Sequence, residues 1–150
     1  MSAAVAERAL ALTPSRERER GVRFAGYASV FDRVDRGGDV VRSGAFARSL
    51  ASGRAVPLLW QHRAGAVIGV VEALAEDGRG LRVVARVTHR VAAALVARGA
   101  LTGLSFGYRV TAARGSNPRE LLGLDLVEVS LVAAPMQALA RVIAVDQVKE

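Results

Sequence analysis

Two strand-length runs, Ala66 to Leu74 and Gly80 to Val87, flank Glu76-Asp77-Gly78, and this hairpin signal constrains the fold more than any other feature. A tight turn between such runs sets them side by side as antiparallel neighbours, so the flanking sequence has to supply the rest of a sheet. It does so with the same punctuation. Val22 to Phe31 reads as a strand carrying Phe24, Tyr27 and Phe31, and Asp35-Arg36-Gly37-Gly38-Asp39 reads as a turn before a short extended piece at Val40-Val41. Val56 to Trp60 reads as a buried strand ending at His62, and Leu104 to Thr111 as another. Ala113 to Pro118 is a polar loop, Leu121 to Val132 a long β-rich run stopped before Pro135, and Arg141 to Val145 a last short strand. Two segments have helical character. Ala45 to Ala51 has Ser43 as a cap, and Val91, Leu95 and Val96 follow a Thr88 cap and end at Gly99. Six or seven strands with two short helices predict one α+β domain, a mostly antiparallel and closed or nearly closed β-barrel. The domain is expected over residues 21–146, between a flexible tail at 1–20 and a short one at 147–150.

A chain of 150 residues suits one domain, which at this size buries roughly 70% of its unfolded surface. Hydrophobic residues at 51% and charged residues at 23% exclude a disordered composition. No apolar run approaches the roughly 20 residues of a membrane span, and Met1 to Arg20 lacks the apolar core of a secretory signal. Cysteine is absent, which removes disulfides and thiolate metal sites. Two isolated histidines and scattered acids show no metal-ligand spacing, and Gly37-Gly38 lies outside any strand–loop–helix phosphate motif. No metal or cofactor is expected, and the bland expectation is a cytoplasmic protein. The net charge of +7 and pI near 11.3 raise nucleic-acid binding as a possibility. Of the 21 basic residues, however, only Lys149 is lysine, the arginines are scattered, and Arg16, Arg18 and Arg20 alternate with Glu17 and Glu19. No dedicated nucleic-acid role is expected; a basic surface suits acidic protein segments instead.

Gly103-Leu104-Ser105-Phe106-Gly107 places a hydroxyl between two glycines. The spacing is that of the nucleophile elbow of α/β-hydrolases, but an elbow needs a strand-to-helix turn, and Phe106, Tyr108 and Val110 continue a strand. The plainer reading is a small residue in a strand whose glycines admit a close neighbour. A serine becomes a nucleophile only beside a base, and His62 and His89 are the two histidines. His62, just past an apolar strand and two residues after Trp60, is the candidate base. His89 starts a helix and reads as solvated or capping. A third group should hold the imidazole, and Asp125 and Glu128 both lie in the long β-rich run. Strict alternation puts Glu128 with Leu126 and Ser130 on one face and Asp125 with Val127 and Val129 on the other, without choosing between the acids. Ser130 is a weak competitor for the nucleophile.

The ordered pieces resemble a known family. They are Gly26-Tyr27-Ala28-Ser29-Val30-Phe31, Gly38-Asp39-Val40-Val41 with Gly44-Ala45-Phe46, Val56 to His62, Gly99 to Tyr108, Glu128 to Val132, and Pro135 with Ala140-Arg141-Val142. In this order the chain resembles the prohead (capsid maturation) proteases of tailed bacteriophages and gene transfer agents. Pro135-Met136-Gln137 is similar to the gene-transfer-agent branch. The resemblance implies a serine endopeptidase with a fold like the herpesvirus assemblins, with His62 and Ser105 as base and nucleophile. Assemblins place a second histidine after the serine, and this sequence has none there. The resemblance therefore points to an acid, Glu128 first and Asp125 second. Arg141 is a further candidate for the cleft, with a surface arginine as the plainer reading. The implied substrate is the scaffold segment of the major capsid protein precursor, cut inside the immature prohead in the bacterial cytoplasm, and often the protease itself. A portal protein and a second copy of the chain are further candidate partners. The alternative is a catalytically inactive capsid-assembly factor that keeps the fold and binds scaffold.

Overall fold

The hairpin forms where the sequence puts it. In a computed structural model describing residues 21–148, β4 (Val67–Glu76) and β5 (Gly80–Val87) pair antiparallel, with Asp77 Oδ1 accepting the N–H groups of Arg79 at 2.8 Å and Gly80 at 3.1 Å. The expected tail at 1–20 lies outside the described residues. Around the hairpin stand β1 (Gly21–Val30), β2 (Asp39–Val41), α1 (Ala47–Ala51) and β3 (Pro57–Trp60). After it come α2 (Arg90–Ala97), β6 (Gly103–Arg114), β7 (Arg119–Val132) and β8 (Val142–Val148).

Pairing runs β7-β3-β4-β5-β1-β8, with β6 along the other side of β7 and β2 beside its first residues. Only β2 and β3 run parallel to β7; the other pairs are antiparallel. The ring closes where Gly103 bridges Arg141. Leu104 N–H donates to Ala140 O at 2.9 Å there, and Val142 N–H donates to Thr102 O at 2.8 Å. Closure removes most of the unpaired strand edges that an open sheet exposes. Phe24, Phe46, Leu58, Leu81, Leu104, Leu121, Leu126 and Leu131 fill the interior, and α2 adds Ala92, Ala93 and Val96 to the same cluster. Each large apolar side chain so buried contributes roughly 1.5–3 kcal/mol.

Several local expectations change. Ser43 does not cap α1. The Glu76 carboxylate, arriving from the end of β4, accepts the N–H groups of Gly44 and Phe46, each at 2.7 Å. His89 rather than Thr88 caps α2, its Nδ1 accepting Ala92 N–H at 3.3 Å, while Thr88 Oγ1 donates to Ile68 O. Ala113 and Arg114 belong to β6, since β7 pairs with them, and the loop shrinks accordingly. β8 starts at Val142 and runs to Val148, which pairs with Gly21 where a tail was expected.

The change that matters most for the site lies in β7. Gly107 pairs with Glu128, but the next residue, Tyr108, pairs with Leu126, leaving Val127 as the extra residue of a bulge. The inward side of β7 therefore switches parity. Val129 and Leu131 face the core with Leu104 and Phe106, and beyond the bulge Leu126 and Leu124 take over opposite Tyr108 and Val110. Leu126 thus does not share a face with Glu128, as strict alternation required. Glu128 and Ser130 share the opposite face with Ser105 and Gly107.

Candidate active site

On that outer face of the β6–β7 pair, Ser105 stands directly across from Ser130, and Gly107 directly across from Glu128. Directly opposite side chains in antiparallel strands lie roughly 5 Å apart at Cβ. Both serines and Glu128 are nonetheless buried: Ser105 is 6% exposed, Glu128 5% and Ser130 0%. A buried carboxyl has to find partners or it costs several kcal/mol. Glu128 finds two, and the segment after β3 supplies the first.

Leu58, Leu59 and Trp60 run parallel to Val129, Ser130 and Leu131. Continued straight, the chain would carry residue 62 past the end of β7. Instead Gln61 (φ 51°) and His62 (φ 60°) both adopt the left-handed conformation, which is uncommon and costly for residues other than glycine. The turn is held at several points. Gln61 N–H donates to Leu131 O at 3.0 Å, Arg63 N–H to Trp60 O at 2.9 Å, and the Gln61 side chain accepts Ala133 N–H at 3.1 Å. The fourth anchor is His62 N–H, which donates to Ser130 Oγ at 3.0 Å. This reversal swings the imidazole back over β7, where Nδ1 lies 2.9 Å from Glu128 Oε1 and 3.1 Å from Oε2. The ring is 42% exposed, so one edge meets the carboxylate while the ring remains open to solvent.

Ser130 is the second partner of Glu128, its Oγ lying 2.9 Å from Oε2 and 3.2 Å from Oε1. Gly107 makes room for this arrangement. A Cβ there would stand 2.8 Å from Glu128 Cγ, 3.0 Å from Cδ and 3.2 Å from Oε1, so the carboxylate lies in the space a side chain would occupy. Gly103 serves a neighbouring approach, since a Cβ on it would lie 2.4 Å from Val132 O and 3.0 Å from a Pro135 ring carbon. The glycines on either side of Ser105 are thus explained by close packing across the strand, as the plainer reading of the pentapeptide held.

The structure brings His62 and Glu128 into contact and sets Ser105 one cross-strand step from Ser130, which both of them touch. Among the described residues no hydrogen bond joins Ser105 to His62. Asp125 pairs across to Arg109 and lines a cleft of about 410 Å³ with Arg48, Ser49 and Arg54, away from this cluster. His89 is committed to its cap. The Arg141 side chain is exposed and held by Ala138 O at 2.6 Å and Thr102 Oγ1 at 3.1 Å, while its backbone bridges Gly103, two residues before Ser105. Sequence reasoning missed the Ser130 contacts and the Gly107 slot. Alternation did place Ser130 beside Glu128, whereas the turn at Gln61-His62 had no glycine to signal it.

A family model described as caudovirus prohead serine protease matches residues 11–150. The chain belongs to that family. It is 39% identical over 94 residues to the prohead protease of Enterobacteria phage HK97, an alignment covering 58% of this chain and 42% of that protein. The bacteriophage T4 capsid assembly protease is similar in fold, with a TM-score of 0.59 at 14% identity over 77% of this chain and 84% of that one. The KSHV protease bound to a hexapeptide phosphonate inhibitor gives 0.58 at 14% identity, over 85% and 66%. The prohead protease fold is thus a herpesvirus-protease-like barrel, and both structural likenesses speak to fold alone. Among the described residues no helix is long and apolar enough to cross a membrane.

Proposed function

We propose that the chain is an active serine endopeptidase of capsid maturation that cuts the scaffold segment of the major capsid protein precursor, and itself, inside the immature prohead in the host cytoplasm. The observation that carries this reading is the His62–Glu128 hydrogen bond, formed by a strained turn beside Ser105 in a member of a prohead serine protease family. Ser105 Oγ attacks the scissile carbonyl carbon and its proton passes to His62 Nε2. His62 then gives that proton to the departing amine nitrogen as the peptide C–N bond breaks, leaving an acyl-enzyme. Water repeats the sequence, its proton going to His62 and then back to Ser105 as the acid product leaves. Glu128 holds the ring and stabilises it while charged. Hydrogen bonds to the nucleophile are often loose without substrate and tighten in the complex, so the missing Ser105–His62 bond is compatible with this assignment.

The test is co-expression with capsid precursor. Ser105→Ala should fold normally and leave the precursor uncut, and normal processing by this variant would refute the assignment. Fluorophosphonate labelling at Ser105 separates the enzyme from a catalytically inactive assembly factor of the same fold. A wild-type chain that binds scaffold, stays unlabelled and leaves the precursor intact inside assembled shells would favour that factor.

A further inference from the structure

Ser130, a weak nucleophile candidate on sequence grounds, has its hydroxyl fully committed. It is 0% exposed, accepts His62 N–H at 3.0 Å and lies 2.9 Å and 3.2 Å from the two Glu128 oxygens. We propose that Ser130 is a positioning residue that holds the Glu128 carboxylate against His62 Nδ1 and so keeps the ring proton on that nitrogen. The inference rests on the proposed role of His62 as base, and it follows from donor and acceptor counting. A backbone N–H can only donate, so the His62 amide takes a lone pair of Ser130 Oγ and leaves its proton for Glu128. In the charged form that a triad acid takes, a carboxylate can only accept, so Glu128 in that role receives protons from both Ser130 and His62. The 2.9 Å contact to Nδ1 then requires Nδ1 to be the donor. The neutral ring is held as the Nδ1–H tautomer with Nε2 bare, which is the form a general base needs.

The hydroxyl also ties together the two things a misplaced histidine would lose. One is the main-chain position of His62 at the end of its left-handed turn; the other is the rotamer of the acid that orients its ring. Gly107 leaves Glu128 room to lie flat, and besides His62 itself Ser130 is the side chain that holds the carboxylate plane. A serine doing this would be invisible to a search for nucleophiles, because it faces Ser105 across the strand pair without being able to act as one.

Nitrogen-15 chemical shifts of His62 in the full chain, at a pH where the ring is neutral, report the tautomer without needing any activity. The wild type should show protonated Nδ1 and bare Nε2, and Ser130→Ala should show a mixture. Ser130→Cys, close in size but a weak donor, should fall between and serves if the alanine variant does not fold. Fluorophosphonate inactivation gives a second readout. In Ser130→Ala the maximal rate should fall on the order of 10- to 100-fold, the loss of a hydrogen bond to a charged group, with the inhibitor's half-saturating concentration unchanged. A wild type protonated at Nε2, or a folded Ser130→Ala that keeps the pure Nδ1–H form, would overturn the inference. Failure of Ser105 to label, together with an uncut precursor inside assembled shells and the tautomer pattern as stated, would instead remove the enzymatic reading and leave only the positioning of the His62 ring by Ser130 and Glu128.

Discussion

Gly107→Ala tests whether the Glu128 position is as constrained as the geometry says. The backbone at Gly107 is not in the left-handed region, so alanine can adopt it. Reduced freedom of the unfolded chain should then favour alanine by about 0.4–1 kcal/mol. The new methyl, however, meets Glu128 Cγ at 2.8 Å and Cδ at 3.0 Å, where ordinary carbon contacts are about 3.5–4.0 Å. The carboxylate has to retreat by about 1 Å, enough to carry a 2.9 Å hydrogen bond to His62 out of range. Losing a hydrogen bond to a charged group costs about 1.5–3 kcal/mol. If that loss is felt fully in the transition state, the rate falls about 10- to 150-fold. Net destabilisation should be smaller, about 1–2 kcal/mol once the backbone gain offsets part of it, or a few degrees in Tm. The assay is the fluorophosphonate inactivation rate beside thermal unfolding, run as a double-mutant cycle with Glu128→Ala. Once Glu128 is truncated the methyl has nothing to strike, so Gly107→Ala should cost no further activity. An equal loss in both backgrounds would show that Gly107 acts by some route other than Glu128, and the packing argument would fail.

Three further outcomes follow from the same structure. Glu128→Gln should lower the inactivation rate on the order of a hundred- to ten-thousand-fold, by analogy with removing the charge that orients a catalytic histidine, whereas Asp125→Asn should leave it unchanged; equal effects would undo the choice between the acids. The Gln137 side chain accepts Val30 N–H at 2.7 Å and donates to Val30 O at 2.9 Å in a buried setting, so Gln137→Ala should cost about 2–4 kcal/mol in urea unfolding. The Glu120 carboxyl is held down at about 2 by the guanidinium of Arg114 and then that of Arg42. Its contribution is complete above the ordinary value of 4.5 and is lost as pH falls from there through about 2, so Glu120→Gln should flatten the acid side of the stability curve in that window, less visibly at high salt.

The strands were legible because their punctuation is local. Asp77-Gly78 and Asp35 to Asp39 specify turns wherever they occur, and Asp35 Oδ1 does accept the N–H groups of Gly37 and Asp39. The anchor of the turn leading into α1 was not legible, because it is supplied by Glu76 from a strand that becomes a neighbour only after folding. Alternation paired Glu128 with Ser130 correctly and misplaced Leu126, because one unpaired residue, Val127, resets the parity of β7. No local pattern announces such a bulge. The contact between His62 and Glu128 spans 66 positions and depends on two left-handed residues, Gln61 and His62, neither of which is a glycine. Only the pairing of β3 with β7 makes that turn worth its strain.

The same pairing explains how this site can be built on strands. Along β6, Leu104, Phe106 and Tyr108 face the core, while Gly103, Ser105 and Gly107 face outward. A slip of one residue against β7 would turn all six over, exposing three large apolar side chains and bringing the serine inside. At roughly 1.5–3 kcal/mol for each large side chain, the core holds the register against several kcal/mol of penalty. The alternation of large and small residues through Leu-Ser-Phe-Gly-Tyr therefore does two things at once. Its large members lock the register, and that register delivers Ser105 to Ser130 and the Gly107 gap to Glu128. Core-facing residues thereby set the spacing of those proposed to meet a substrate, and mutations at Leu104 or Phe106 should disturb activity through register before they disturb it through stability.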